Sequence, residues 1–194
     1  MKTSLSTSFI RKKKGGRLFK IALLGDGAVG KTALKDRFLG KGFESSYMMT
    51  IGADFATYTT QIDNEEVKLQ IWDLAGQTRF KEVRSGFYSG TLGALLVYDV
   101  TRKDTAESLI GWVEEAKKFS GNSNVSFILV GNKIDLRKQA PESVTKRQGL
   151  LIAKKLAKSN NSVVPYVETS AKDNLNVPQA FMDLATVILE SLKK

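Results

Sequence analysis

The chain has 194 residues, 42% of them hydrophobic and 26% charged, the composition of one globular domain with a substantial core. It contains no cysteine and no histidine, which excludes disulfides, thiolate nucleophiles, zinc sites of the usual kind and imidazole bases. The net charge is +10, but Lys2, Arg11, Lys12, Lys13, Lys14 and Arg17 fall in a leading stretch without a single acid, so most of the basic character belongs to that stretch.

Residues 1–17, rich in Ser, Thr, Lys and Arg, read as a flexible basic arm. Three readings fit such an arm: a solvated terminus, a polybasic contact for an anionic membrane, and, less well, a short transit peptide. No apolar run approaches the roughly 18 residues of a membrane span. The folded domain is expected over 18–194.

Leu18 to Leu24 is a short apolar run that predicts a buried strand. Gly25-Asp26-Gly27-Ala28-Val29-Gly30-Lys31-Thr32 follows, and Leu34 and Phe38 then begin a helical spacing that Gly40 and Gly42 end. Strand, glycine loop and helix is the context that gives a G-x-x-x-x-G-K-[ST] match its meaning. Glycines at 25, 27 and 30 let successive backbone N–H groups curl around an anion, and the helix start adds its positive end. Lys31 would reach the β- and γ-phosphates as a point charge, and the Thr32 hydroxyl would ligate Mg²⁺. The nucleotide-binding stretch is taken to run from Gly25 through Ala33.

Phe43 to Thr50 has no periodicity and reads as a loop. Phe55 to Ile62 and Val67 to Trp72 alternate on either side of Asp63-Asn64, which predicts an antiparallel hairpin. Asp73 to Gly90 is polar and irregular, with room for a short helix. Leu92 to Val100 and Val125 to Val130 are continuous apolar runs of the kind a parallel sheet covers on both faces. Leu109, Trp112, Val113 and Ala116 recur at helical spacing. Thr145 to Gln148 is a capping box, Val163 to Glu168 a last strand, and Asn176 the expected cap of a final helix with Pro178 in its first turn. Alternating strands and helices predict an α/β domain: a six-stranded, mostly parallel sheet with helices on both faces. Ligands in such sheets bind at the carboxyl ends of the strands.

The polar clusters fall on that edge. Asp73 could hold Mg²⁺ through a water, Gly76 leaves a backbone N–H free for a γ-phosphate, and Gln77 can both accept from and donate to an attacking water. Asn132-Lys133-Ile134-Asp135 supplies a carboxylate for the paired N–H and NH₂ edge of guanine, an edge that adenine lacks. Ser170-Ala171-Lys172 would offer a backbone N–H to the guanine carbonyl. Each cluster alone is an ordinary turn. Their order behind a phosphate loop makes the joint signal, and nothing else in the chain would select adenine.

On these motifs, and on Thr50-Ile51-Gly52-Ala53-Asp54-Phe55, Lys68-Leu69-Gln70-Ile71-Trp72-Asp73 and Leu96-Val97-Tyr98-Asp99-Val100-Thr101, the chain resembles a small GTPase of the Ras superfamily, most like the Rab family, over about 18–192. The resemblance implies a guanine-nucleotide switch that hydrolyses GTP slowly. Thr50 would close on Mg²⁺ and γ-phosphate, Phe43 would sit against the guanine edge, and Lys133 would lie over its face. The catalytic set would be Gln77, Lys31, Thr50 and Gly76. Segments of about 43–54 and 73–85 would be the two switches, contacting effectors, exchange factors and GTPase-activating proteins. Phe55, Trp72 and Phe87 resemble the aromatic trio that Rab effectors read. The resemblance further implies a cytoplasmic monomer, peripheral at a membrane where it acts. Nucleic acid and zinc are not expected partners. Rab chains carry prenylated cysteines and this sequence has none. Leu74 and Thr78 stand where Rab sequences usually have Thr and Glu. Arg79 and Arg84 are expected to face solvent or a partner. A GTP-holding scaffold with negligible turnover is the alternative reading.

Overall fold

A computed structural model describes residues 16–44, 49–122 and 124–193. Six strands form one sheet in the order β2-β3-β1-β4-β5-β6. They are β1 (Arg17–Leu24), β2 (Ala53–Ile62), β3 (Glu65–Leu74), β4 (Gly93–Asp99), β5 (Ser126–Asn132) and β6 (Tyr166–Glu168). Only β2 runs antiparallel, joined to β3 by Asp63 and Asn64, both at positive φ as a tight hairpin turn demands. The helices are α1 (Lys31–Phe38), α2 (Lys81–Ser85), α3 (Lys103–Glu107), α4 (Leu109–Ser120), α5 (Lys146–Asn160) and α6 (Val177–Ser191).

The continuous apolar strands split their residues between two cores, because side chains alternate across a sheet. Ile21, Leu23, Leu95, Val97, Ile128 and Val130 face α1 and α6, where Phe38 stacks on Phe181 with ring centroids 4.2 Å apart. Ala22, Leu24, Leu96, Tyr98, Phe127 and Leu129 face α4 and α5. The expected six-stranded, mostly parallel sheet with helices on both faces is therefore the fold.

Several boundaries move. The first strand begins at Arg17, one residue inside the expected arm; residues 1–15 of that arm lie outside the described residues. The helical spacing of Leu109, Trp112, Val113 and Ala116 falls within α4, and a short helix that the spacing did not indicate, α3, precedes it across Ser108. Val163 to Glu168 contributes only three strand residues, because Pro165 has no N–H for the ladder, although its carbonyl still accepts from Leu129 N at 2.8 Å. The capping box at Thr145 is present. Asn176 does not cap with its side chain: it sits at φ 55° and donates Nδ2 to Glu168 O at 2.8 Å.

Strand ends also shift. Asp73 lies within β3, pairing across to Leu23 and Asp54, and Asn132 is the last residue of β5. Both side chains are therefore fixed by sheet geometry and not left on loops.

Candidate functional site

The loop from Gly25 to Gly30 joins β1 to α1. Gly25 has φ 139°, and a Cβ there would lie 2.0 Å from Val97 O. Gly30 has φ 99°, and a Cβ there would lie 2.4 Å from Asn132 Nδ2. Both positions need glycine for backbone and for space. Ala28 also adopts positive φ, Val29 is buried, and Ala33 is half-buried in the first turn of α1. A Cβ on Gly27 would stand 3.4 Å from Gln77 Cγ, so the loop meets the segment after β3 there.

Lys31 is buried, and Nζ donates to Gly25 O at 2.7 Å and Asp26 O at 2.9 Å, folding the side chain back along the loop. Burial pushes its ammonium down to about 8, against the pull of Asp73 and Asp26. An anion seated in the loop would favour the charged form. The Asp26 carboxylate itself is committed elsewhere. It accepts from Trp112 Nε1 and Ser108 Oγ, both at 2.8 Å, which ties the loop to α4.

Next to Lys31, Thr32 Oγ1 donates to Asp73 Oδ2 at 2.5 Å and lies 3.1 Å from Thr50 Oγ1. Asp73 is fully buried, and its Oδ1 has no hydrogen-bond partner among the described residues. Burial raises the Asp73 carboxyl, with the Thr32 hydrogen bond and the Lys31 charge opposing. A buried carboxylate oxygen left unpaired calls for an ion or water. Two hydroxyls and one carboxylate are hard oxygen donors of the kind Mg²⁺ takes alongside phosphate oxygens. Among the described residues no cluster of three or more acidic side chains could hold a metal alone, so this mixed oxygen set fits a Mg²⁺ that shares its coordination with a substrate.

The segment from Gly76 onward, expected as the second switch, lies directly on the loop. A Cβ at Gly76 would fall 2.5 Å from the Asp26 carbonyl and from Lys31 Nζ. Gln77 is half-buried, and its carbonyl accepts from Arg84 Nη1 at 2.9 Å. Arg84 corrects the expectation of solvent or partner contact. It is buried, donates through Nε and Nη2 to both Glu115 oxygens at 2.5 and 2.8 Å, and lies over the Trp112 ring. Tyr88 donates to the same Glu115 at 2.8 Å. Arg79, by contrast, is exposed, with Nη2 3.2 Å from Met49 Sδ. Of the first switch, residues 45–48 lie outside the described residues; Phe43 is exposed.

Asn132 organises the far end. Nδ2 donates to Val29 O at 2.9 Å, while Oδ1 accepts from Thr169 Oγ1 at 3.0 Å and Ala171 N at 3.3 Å. Lys133, at φ 67°, donates Nζ to Ala28 O at 2.6 Å and pairs with Asp99 at 2.8 Å. Asp135 accepts from Ser170 Oγ at 2.7 Å. Lys172 is exposed, and its carbonyl accepts from Arg37 Nη2 at 2.6 Å, while Arg37 Nε reaches Ala171 O at 2.9 Å. The candidate residues of three separate loops thus meet on one sheet edge. Arg37, Asp99, Arg102 (to Gly27 O at 2.9 Å), Ser108 and Trp112 hold the site from behind. Reading by motif misses them, since no local pattern marks a residue that acts on a loop distant in sequence.

A phosphate-type glycine loop between the first strand and helix of this sheet defines a P-loop nucleoside triphosphatase of the small G-protein type. A family model described as the Ras family matches residues 20–190. The chain is 41% identical over 172 residues to Ras-related protein Rab-13 of Bos taurus, covering 89% of this chain and 80% of that protein, and equally to Rab-13 of Mesocricetus auratus. Rab-13 of Rattus norvegicus matches at the same identity and coverage. The chain belongs to the Ras family and is Rab-like within it: a GTP- and GDP-binding switch that hydrolyses GTP and works with effectors, exchange factors and GTPase-activating proteins.

Proposed function

We propose that this GTPase holds Mg²⁺–GTP across the β-strand edge and switches two segments, about 43–54 and 73–85, to recruit effectors in membrane trafficking or related signalling. The observation that carries this reading is the unpaired, buried Asp73 Oδ1 beside the Thr32 and Thr50 hydroxyls, next to a buried Lys31. In the proposed pocket the amides of 25–33 cradle the phosphates and Lys31 binds the β- and γ-phosphoryl oxygens. Thr32 and Thr50 would hold Mg²⁺ directly and Asp73 through a water. The ion would neutralise charge on the terminal phosphates. Asp135 pairs with the guanine edge, Lys133 and Phe43 flank the ring, and the Ala171 amide faces the base carbonyl, with Asn132, Ser170 and Lys172 shaping that loop.

Catalysis in this reading is positional. Gln77 orients water in line with the γ-phosphoryl group, the Gly76 amide and Thr50 fix that group, and Lys31 stabilises the leaving charge. Turnover alone would be on the order of 10⁻⁴ to 10⁻³ s⁻¹, and an arginine supplied in trans would raise it by about 10⁵. Gln77→Leu should keep GTP affinity and lose on the order of ten- to a hundred-fold in single-turnover phosphate release. Release at the wild-type rate would contradict the role of Gln77; negligible release from both would favour the scaffold reading.

Within this proposal residues 1–17 form the basic arm and 18–194 the GTPase domain. No helix among the described residues is long and apolar enough to cross a membrane. The arm would give weak, salt-sensitive attachment to anionic lipid. Phe55, Trp72 and Phe87 form a continuous aromatic row, with centroids 5.1 and 5.4 Å apart. Phe55 is 54% exposed, which suits an effector surface.

A further inference from the structure

We infer that the outer face of α5 is a second membrane-contact surface, one that seats the domain on an anionic bilayer with both switches facing away from it. The sequence of α5, KRQGLLIAKKLAKSN, contains five cations and no acid. All five cations are exposed, and none forms an ion pair among the described residues. A helix advances about 100° per residue, so Arg147, Leu150, Leu151, Lys154, Lys155 and Lys158 share an arc of about 140°. The buried residues Gly149, Ala153, Leu156 and Asn160 occupy the opposite side.

Two leucines on this arc, between Arg147 and Lys154 along the helix, are left in water: Leu150 is 47% exposed and Leu151 57%. Val163, just past the helix, is 77% exposed. Lys117 of α4 adds another cation at the far end, where Nζ donates to Ser159 O at 3.2 Å. Cations ringing exposed aliphatic side chains match the boundary between anionic headgroups and acyl chains. A nucleic acid would use the charges but gain nothing from two adjacent leucines, and no aromatic side chain lies on this face for stacking.

The sheet order gives the surface its use. β2 and β3, which flank the switches, stand at one end of the sheet, and β6, on which α5 packs, stands at the other. A bilayer against α5 leaves the Phe55–Trp72–Phe87 row open to a partner.

The test is sedimentation of the full chain, loaded with GDP, on phosphatidylcholine vesicles with and without about one-third phosphatidylserine. The variants are a triple Lys154→Gln, Lys155→Gln, Lys158→Gln and a double Leu150→Ser, Leu151→Ser. A third neutralises Arg11, Lys12, Lys13 and Lys14 to Gln. Retained GDP shows that each variant is folded. The wild type should partition to the anionic vesicles alone, and the lysine triple should weaken that at least about tenfold, less so at high salt. The leucine double should weaken it several-fold at either salt. The inference is overturned if both helix variants bind as wild type while the arm variant does not, or if the wild type ignores the vesicles. It is equally overturned if a duplex oligonucleotide is the only ligand lost with the lysines.

Discussion

Arg84 shows how a single buried charge can hold the segment that follows β3. Its guanidinium joins α2 to Glu115 of α4 and binds the Gln77 carbonyl, so the backbone of the proposed second switch is fixed from behind. Arg84→Met would strand the Glu115 carboxylate in a buried site. Denaturant unfolding should show a loss of about 3–5 kcal/mol, while the double Arg84→Met, Glu115→Met should recover most of it. A single variant as stable as the wild type would show that the pair contributes nothing. Glu168 gives a pH-dependent case. Burial alone would raise its carboxyl, but hydrogen bonds from Arg137 and Tyr166 overcome this and hold it below the usual range. A carboxyl depressed in the fold stabilises above its unfolded pKa, and that share is lost as pH falls through the depressed folded value. Unfolding free energy should therefore decline on acidification below about pH 4.5. Arg137→Gln should be less stable at pH 7 and flatter over that acid range; an unchanged slope would remove Glu168 from the account.

Elements matter here through the loops they bring together. Asn132 ends β5 and bonds the phosphate loop, Thr169 and Ala171, so three sequence-distant turns share one side chain. Asn132→Ala should cost about 1–3 kcal/mol per orphaned buried group in denaturant unfolding, together with a measurable rise in nucleotide release. Stability and release like the wild type would show the three turns to be independent. The same element marks what is legible from sequence. The glycine loop, the alternating hairpin and the apolar strands are local patterns, so residues 18–24, 55–62 and 92–100 can be read directly. Asp73 and Asn132 were legible by type but not by place, because extending β3 and β5 takes a pairing partner that sequence does not display. Arg84 and Arg37 were not legible at all, since an arginine's burial depends on a carboxylate or carbonyl supplied by another element. The role of Ser108 was equally hidden: its hydroxyl bonds Asp26, far away in the chain.

On the scale of the molecule, the sheet separates tasks by position. Its carboxyl edge carries the glycine loop, the Thr32, Thr50 and Asp73 oxygens, and the turns that hold Asn132 to Asp135 and Ser170 to Lys172. The β2–β3 end carries the aromatic row, and the opposite end carries the cationic face of α5. In the proposed switch, ligand energy would enter at the edge and be expressed at the β2–β3 end, because Thr50 and Gly76 would belong to the site and the switches at once. All of this depends on one pocket that binds a triphosphate and tells guanine from adenine. Calorimetric titration of nucleotide-free protein with GTP and with ATP, each in Mg²⁺, tests it most directly. GTP should bind at least about a thousandfold more tightly than ATP, the discrimination expected when the half-buried Asp135 carboxylate would be paired by guanine and would meet no donor pair on adenine. Equal affinities, or no binding of either, would contradict it.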